Sequence, residues 1–217
     1  MTGSEIVNRI REITLNPSPG RFTDAQILSM VNEGYTDFCR FTEMNHKSST
    51  QVLPQYTALA SIPDDYVDMR QVRLSYNREL YVRSERELDY QEMGWPTQVG
   101  SPETAVFYNY NMLRTKPIVS AASTITYRYC YIPTAITLTT EPNIPLVYHP
   151  ALVDYASAQS FYIWRDYNNG ALYWAKYVKD REQGKSEAQT KTPDTFTSQR
   201  PVTQFNYNRW DYGYRNR

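Results

Sequence analysis

Residues 23–42 read TDAQILSMVNEGYTDFCRFT, and this stretch carries the clearest periodicity in the chain. Its apolar side chains recur at steps of three or four residues, which predicts an amphipathic helix. Thr23 and Gln26 have the spacing of a capping box, in which each side chain accepts a hydrogen bond from the backbone of the other residue. Met30 and Phe41 widen the apolar surface beyond a single stripe. We therefore predict a helix that packs against neighbours on two sides.

A second helix precedes this one, and two more are predicted in the last third of the chain. The first helix begins with a capping box at Thr2 and Glu5. It ends at the Asn-Pro-Ser-Pro-Gly run of residues 16–20, because proline cannot continue a helix. The later pair starts at Pro150, which suits a first helical position, and we expect the final helix to stop near Gly184.

Between the two pairs of helices the apolar period changes to two, which indicates β-strands. Turn-forming residues at 77–78 and 109–111 predict two hairpins, and residues 124–132 predict the longest strand. The predicted fold class is therefore α+β. It has a four-helix bundle core formed by the N- and C-terminal helices, an inserted antiparallel β subdomain and an extended C-terminal tail.

The predicted boundaries follow these changes of period. Residues 1–47 are the N-terminal helices of the bundle, 48–143 the β-rich subdomain, 144–186 the C-terminal helices and 187–217 the tail. Because helices from both ends of the chain must pack together, we expect the β subdomain to project as a separate lobe. The tail begins with a stretch rich in Thr, Ser, Gln and Pro that has no period, which is typical of an extended linker.

The segment 205–217, which we call the aromatic segment, follows this linker. The chain has 20 tyrosines, and from residue 198 onward it has four arginines and one acidic residue. Tyr, Trp and Arg dominate the energetics of protein interfaces. The aromatic segment is therefore predicted to bind another protein, through Phe205, Tyr207, Arg209, Trp210, Tyr212, Tyr214, Arg215 and Arg217.

Composition excludes several classes of function. The 217 residues hold 23 Lys+Arg and 23 Asp+Glu, so no overall positive charge favours binding to nucleic acid. No apolar run approaches the roughly 20 residues of a membrane helix, and the start lacks the features of a signal peptide, so we expect a soluble protein.

Cys39 and Cys130 lie among aromatic residues, which favours buried thiols over a disulfide.

No pattern of catalytic residues is present, so we predict neither an enzyme nor any catalytic, cofactor or metal site. The chain has no glycine-rich phosphate loop, and its two histidines, His46 and His149, have no ligand partner at metal-binding spacing. Two binding functions remain open as alternatives. One is a carbohydrate-binding module that uses Trp and Tyr platforms to recognise a surface glycan. The other is a protein that stacks its aromatic residues on single-stranded nucleic acid.

Several short motifs, in order across residues 4–182, resemble the head-to-tail adaptor (connector) proteins of short-tailed bacteriophages. These motifs include Arg21-Phe22-Thr23-Asp24, Ile62-Pro63-Asp64-Asp65-Tyr66, Gly94-Trp95-Pro96 and the run from Tyr148 to Ala156. The resemblance implies a structural protein of the virion, located at the head-to-tail junction and assembled in the host cytoplasm. It also implies a homo-oligomeric ring, expected to be a dodecamer, with no membrane contact.

The same resemblance implies a set of partners. Such a ring binds the portal protein, extends the channel for double-stranded viral DNA without reading its sequence, and presents a platform to the tail nozzle protein and, in some members, to tail fibres. A C-terminal extension often grips the portal, and here the candidate is the aromatic segment. For contact with the nozzle or fibres, we predict the hairpin tips at Asn77, Arg78, Asn109, Tyr110 and Asn111.

Overall fold

A computed structural model describes residues 1–15, 21–75, 78–91, 94–109 and 112–191 of the chain. Within these ranges the protein contains five α-helices and nine β-strands. The helices are α1 Gly3–Ile13, α2 Asp24–Thr42, α3 Glu85–Gln91, α4 His149–Ile163 and α5 Tyr167–Lys191. The strands are β1 His46–Leu53, β2 Leu59–Ser61, β3 Tyr66–Leu74, β4 Arg78–Arg83, β5 Val99–Gly100, β6 Thr104–Asn109, β7 Met112–Lys116, β8 Ile118–Val119 and β9 Ser123–Tyr131.

Both predicted capping boxes are present, and they set the starts of α1 and α2. The backbone N–H of Glu5 donates to the Thr2 hydroxyl at 3.3 Å, and the Thr2 N–H donates to the Glu5 carboxylate at 2.9 Å. Thr23 and Gln26 make the same reciprocal pair at the start of α2. Each box satisfies N–H groups that a helix start leaves without partners.

The four long helices α1, α2, α4 and α5 share one apolar cluster, which also receives residues from the connection before α4. Tyr177 of α5 is fully buried, and its hydroxyl donates to Asp37 of α2 at 2.5 Å. Arg181 donates to the same carboxylate at 2.9 Å. Tyr177 contacts Asp37, and Arg181, one turn later in α5, contacts Phe41, one turn later in α2. The two helices therefore run in the same direction.

The prediction that the last helix stops near Gly184 is wrong, since α5 continues to Lys191. Gly184 allows close packing instead of ending the helix. A Cβ atom at this position would lie 3.0 Å from the Phe38 ring and 3.1 Å from the Thr42 methyl group. The lack of a side chain therefore leaves room for the close approach of α5 to α2, which a sequence pattern does not distinguish from a helix end.

Seven strands form one mixed sheet in the order β1-β9-β3-β4-β6-β7-β2, and β5 and β8 form a separate parallel pair. All neighbours in the large sheet are antiparallel except β4 and β6, which pair in parallel from Tyr81↔Thr104 to Arg83↔Val106. The sheet has its own apolar core, which includes Val72, Leu80, Leu113, Ile125 and Tyr127.

The two edge strands of this sheet, β1 and β2, approach each other, so the sheet is nearly closed. The N–H of Ser61 on β2 donates to the Gln51 side chain on β1 at 3.1 Å. The Tyr127 hydroxyl lies 2.8 Å from both the Gln51 side-chain oxygen and the Ser61 carbonyl. Side chains, rather than a ladder of backbone bonds, therefore link the two edges.

The predicted fold class, a four-helix bundle core that carries an inserted antiparallel β subdomain, is wrong. The protein has five helices and a large, nearly closed mixed sheet of seven strands with a core of its own. The error has a physical cause. Alternating apolar residues identify strands, but they do not reveal which strands pair, and here β1 pairs with β9 and β4 with β6 across long stretches of chain.

A polar joint connects the helical cluster to the sheet. Arg70 of β3 forms an ion pair with Glu43, which follows α2, and its Nε also donates to the Cys130 sulfur at 3.2 Å. On the other side, Asn143 donates its side-chain amide to the Tyr131 hydroxyl at 3.0 Å. The helical cluster and the sheet are thus fastened at the end of the sheet where β1 begins and β9 ends.

Candidate protein-binding surfaces

The two hairpins of the sheet turn at opposite ends of it. The β3–β4 connection lies at the start of β4, and the β6–β7 connection lies at the end of β6. Because β4 and β6 run in parallel, the start of one and the end of the other are at opposite ends of the sheet. We call the end with the β3–β4 connection the distal end, and the other the proximal end. The proximal end adjoins the helical cluster, since the Tyr131 N–H donates to the carbonyl of Asn45, three residues after α2.

The predicted hairpin-tip residues therefore divide between two surfaces. Arg78 lies at the distal end, where its guanidinium donates to the Ser101 hydroxyl at 3.0 Å and to the Glu103 carboxylate at 2.7 Å. It remains 47% exposed, so the ion pair orients the side chain without removing it from solvent. Asn109 ends β6 at the proximal end. The other three tip residues, Asn77, Tyr110 and Asn111, lie outside the described residues.

Two exposed apolar residues at the distal end have no signal in the sequence. Tyr56 is 66% exposed, and its backbone has φ of 60°, a left-handed conformation that costs a non-glycine residue about 1 kcal/mol or more. Its N–H donates to the carbonyl of Val119 at 2.9 Å, which holds it in place. Val99 of β5 is also more than half exposed. A strained, fixed and exposed tyrosine is typical of a surface that contacts a partner.

Turn hydrogen bonds make the distal end rigid. The Ser75 hydroxyl accepts from the Thr124 N–H at 2.6 Å and donates to the Thr124 carbonyl at 3.2 Å, tying β3 to the start of β9. Gln55 donates its side-chain amide to the Ser120 carbonyl at 2.9 Å. Together with Arg78, these contacts give a surface of fixed shape, which lowers the entropy cost of docking.

A half-buried cluster of Arg114 and aromatic residues lies beside α3. The Arg114 guanidinium lies 5.1 Å from the Trp95 ring and 5.8 Å from the Tyr108 ring, and it donates to the Pro96 carbonyl at 2.9 Å. The Trp95 indole donates to Asp89 at 2.8 Å and is only 2% exposed. Trp95 is therefore a packing residue that positions Arg114.

The described tryptophans do not offer the platforms that a glycan needs. Trp95 is buried, and Trp164 and Trp174 are half-buried. Trp164 stacks on Phe22 with ring centroids 5.7 Å apart, and Trp174 packs against Tyr155 at 5.8 Å. These contacts weigh against the carbohydrate-binding alternative for the part of the chain that the structure describes.

Burial shifts the pKa values of the two histidines and of Cys39. His149 is 2% exposed with Nε2 3.2 Å from the Ile144 carbonyl, and burial lowers its pKa. Burial, helped by Arg70 and Arg128, also lowers the pKa of His46. Burial raises the pKa of the Cys39 thiol to about 12, which makes it a poor nucleophile. Across the described ranges, no three His, Cys, Asp or Glu side chains are grouped to hold a metal ion.

The eight residues predicted to bind the portal, Phe205 to Arg217, lie outside the described residues, which end with Lys191. The last described helix shows where the described part of the chain ends. Because α5 runs in the same direction as α2 and packs on Met44 near Gly184, its last turns lie at the proximal end. None of the helices in the described ranges has the length and apolar character needed to cross a membrane.

Comparison with known proteins identifies one family. Residues 1–204 match the family described as SU10 adaptor protein. The matched region includes all the described helices and strands, and it ends one residue before the aromatic segment. No curated protein matches the chain.

Proposed function

The chain belongs to the SU10 adaptor protein family and is a phage structural adaptor, and from this premise we propose that it joins the portal to the tail nozzle. The family places the protein at the virion neck, in an oligomeric assembly with portal and tail proteins. In our proposal the assembly is a dodecameric ring that extends the DNA channel. Double-stranded viral DNA passes through it without sequence-specific binding.

One geometric observation supports a bridging role. The last turns of α5 lie at the proximal end of the sheet, and the surface with Arg78 and Tyr56 lies at the distal end. An adaptor that joins two partners needs two binding surfaces directed apart. The aromatic segment would bind the portal, and the distal end would contact the nozzle or fibres.

In this proposal the helical cluster forms the ring contacts and the sheet faces outward or toward the tail. The isolated chain is monomeric or weakly associated, and it closes into a ring only on the portal. Ordering a polar linker costs free energy that a partner surface must offset. Ring closure on the portal takes place in the host cytoplasm, where the virion is assembled.

The decisive experiment removes residues 206–217 and measures portal binding and folding separately. Buried Tyr, Trp and Arg anchors each contribute about 2 kcal/mol or more at an interface, so deletion should weaken docking by orders of magnitude. A ring repeats the loss in every subunit. Co-sedimentation with the portal should be lost, and the melting temperature and helix content should be unchanged.

A matched control separates loss of anchors from loss of chain length. It replaces Tyr207, Trp210, Tyr212 and Tyr214 by serine and keeps all 217 residues. This variant should also fail to bind. Portal binding that survives the deletion would contradict the proposed role of the aromatic segment.

A further inference from the structure

The helical cluster and the sheet each have an apolar core of their own. One core is built from α1, α2, α4, α5 and the connection before α4, and the other is built from the strands and connections of the sheet. The described residues of the two cores do not overlap. A change in the angle between the two bodies would therefore leave both cores packed, as in the hinge motions of other proteins.

At the first crossing between the two bodies, the chain passes from one to the other within a single residue. The Glu43 N–H donates to the carbonyl of Cys39 in α2 at 3.0 Å, so Glu43 still belongs to the helical cluster. The Asn45 carbonyl already accepts from the Tyr131 N–H of β9 at 3.1 Å. Met44 is the one residue between these two attachments.

At the second crossing, the chain returns from the sheet through residues 132–136. The Ile132 N–H donates to the Asp65 carbonyl of the sheet at 3.0 Å, and the Ile136 N–H donates to the Asn32 side chain of α2 at 2.7 Å. Within the described part of the chain, the backbone of residues 133–135 makes no hydrogen bond. Both crossings can therefore change their backbone angles without breaking a helix or a strand, as a hinge requires.

One ion pair, which we call the latch, fixes the sheet against the end of α2. β3 has a bulge between Met69 and Gln71, and from this bulge the Arg70 guanidinium binds the Glu43 carboxylate. Asp68 lies 3.8 Å from Arg70 Nε. The guanidinium therefore has a second acidic partner on the sheet itself when Glu43 moves away.

Glu43 holds an unusual backbone conformation at this contact. Its φ is 54°, the left-handed conformation in which helices commonly end with glycine. A residue with a Cβ atom adopts this conformation at a cost in energy. Because glutamate supplies the carboxylate that glycine lacks, the position combines a strained backbone with the group that Arg70 binds.

A second contact holds the opposite face of the same strand end. The Cys130 sulfur accepts from Arg70 Nε at 3.2 Å, and the next side chain, that of Tyr131, points to the other face of β9 because side chains alternate along a strand. The Tyr131 hydroxyl accepts from the Asn143 amide at 3.0 Å. The end of β9 is thus held from both faces, and loss of the latch would leave the Asn143 contact as a pivot.

We propose that the Arg70–Glu43 latch sets the angle between the sheet and the helical cluster. When the latch opens, the sheet pivots as a rigid body about Met44 and residues 133–135, and the distal end points in a new direction. The pivot lets the distal end meet a partner at more than one angle without a change in the fold of either body. This inference goes beyond the proposed bridging role and does not depend on the identity of the partners.

The length of the sheet amplifies a small pivot. β3 has nine residues. At about 3.3 Å per residue the distal end lies about 30 Å from the joint, so a tilt of about 20° moves it by about 10 Å. A displacement of this size is measurable as a distance between two labels.

The test measures distances between spin labels by double electron–electron resonance on the full chain. One label is attached at Ser29→Cys on α2 and the other at Thr124→Cys at the distal end of β9, since both positions are exposed. The native thiols, Cys39 and Cys130, are only 2% and 1% exposed, so the label attaches to the introduced cysteines. The native protein should give one narrow distance distribution across the joint.

Two variants open the latch, and a third is the matched control. Arg70→Gln and Glu43→Gln each remove one charge of the pair, and each should shift or broaden the distribution by about 10 Å, the displacement expected from the strand length. Lys47→Gln removes an ion pair with Asp65 that lies 3.0 Å apart within the sheet. This control should leave the distance across the joint unchanged.

Label pairs within each body report on folding. Ser29 with Lys179 lies in the helical cluster, and Thr124 with Ser48 lies in the sheet, all at exposed positions. Both internal distances should be the same in the native protein and in every variant. A change in either one would indicate loss of the fold instead of a pivot and would overturn the proposal.

Two further outcomes would also overturn it. An unchanged distance across the joint in both latch variants would show that other contacts fix the angle. An equal change in Lys47→Gln would show that the effect is not specific to the latch. Salt at about 1 M, which screens charges, should broaden the native distribution and leave that of Arg70→Gln as it is, and an equal response of the two proteins would contradict the role of the ion pair.

Discussion

Replacing Tyr127 by phenylalanine tests how the sheet is closed. The side chain is 1% exposed and its ring packs in the sheet core, so Tyr127→Phe removes one hydroxyl without leaving an apolar cavity. The hydroxyl lies 2.8 Å from the Gln51 side-chain oxygen and 2.8 Å from the Ser61 carbonyl. After the substitution Gln51 keeps the Ser61 N–H at 3.1 Å, whereas the Ser61 carbonyl loses this donor.

The magnitude follows from the loss of one hydrogen bond. Ser61 is exposed, so water can replace the lost donor, and the net loss is that of an ordinary hydrogen bond, about 0.5–1.5 kcal/mol. For a chain of this size, each kcal/mol lowers the melting temperature by about 2–4 °C. We therefore expect a decrease of about 1–6 °C.

Thermal and urea denaturation of the two proteins measure the change, and Tyr81→Phe is the matched control. Tyr81 lies in the same sheet but is 71% exposed, so its hydroxyl remains hydrated and its replacement should change stability by less than about 0.5 kcal/mol. If Tyr127→Phe were as stable as Tyr81→Phe, the side-chain link between β1 and β2 would contribute nothing, and the closure would have to come from packing alone.

Three further predictions concern the helical cluster and its connections. Burial raises the pKa of Asp154 to about 6, so the folded state binds its proton more tightly than the unfolded state, and stability falls as the pH rises from about 4 to above 6. Asp154→Asn should therefore melt higher than the native protein at pH 7.5 but not at pH 4, and an equal shift at both pH values would refute the assignment. Gly184→Ala places a Cβ atom 3.0 Å from Phe38 and should destabilise by about 1–3 kcal/mol in urea unfolding, whereas a neutral result would mean that α5 can shift freely. Asn32 accepts from the Ile136 N–H at 2.7 Å and donates to its carbonyl at 3.0 Å, so Asn32→Ala should cost about 2 kcal/mol, measured by the same method, and a change below about 0.5 kcal/mol would contradict this role.

Local chemistry made the helices predictable. The capping boxes at Thr2 and Thr23 depend on residues three positions apart, and both form as expected. Gly184 shows where such reasoning stops. A glycine near a helix end usually marks the end, but here it lies against the Phe38 ring of another helix, which no local pattern records.

The sheet was predictable only in parts, because its architecture depends on pairings between distant segments. The strands around both hairpins appear in the sequence, yet the parallel pairing of Tyr81 with Thr104 does not. That single pair directs the two hairpins to opposite ends and divides the predicted tip residues between two surfaces. Tyr56 was missed for a related reason, since its exposure and left-handed backbone depend on the contact with Val119.

The long ladder between β1 and β9 has a mechanical consequence. Its hydrogen bonds lie across the strands, and its eight residue pairs run without interruption along the proximal-to-distal direction. A pull between the two ends of the sheet would therefore load all of these bonds in shear at the same time, whereas a sideways pull would open them one after another. The ladder therefore resists a pull along its strands best, which in the proposed bridging role is the direction of tension between the two partners.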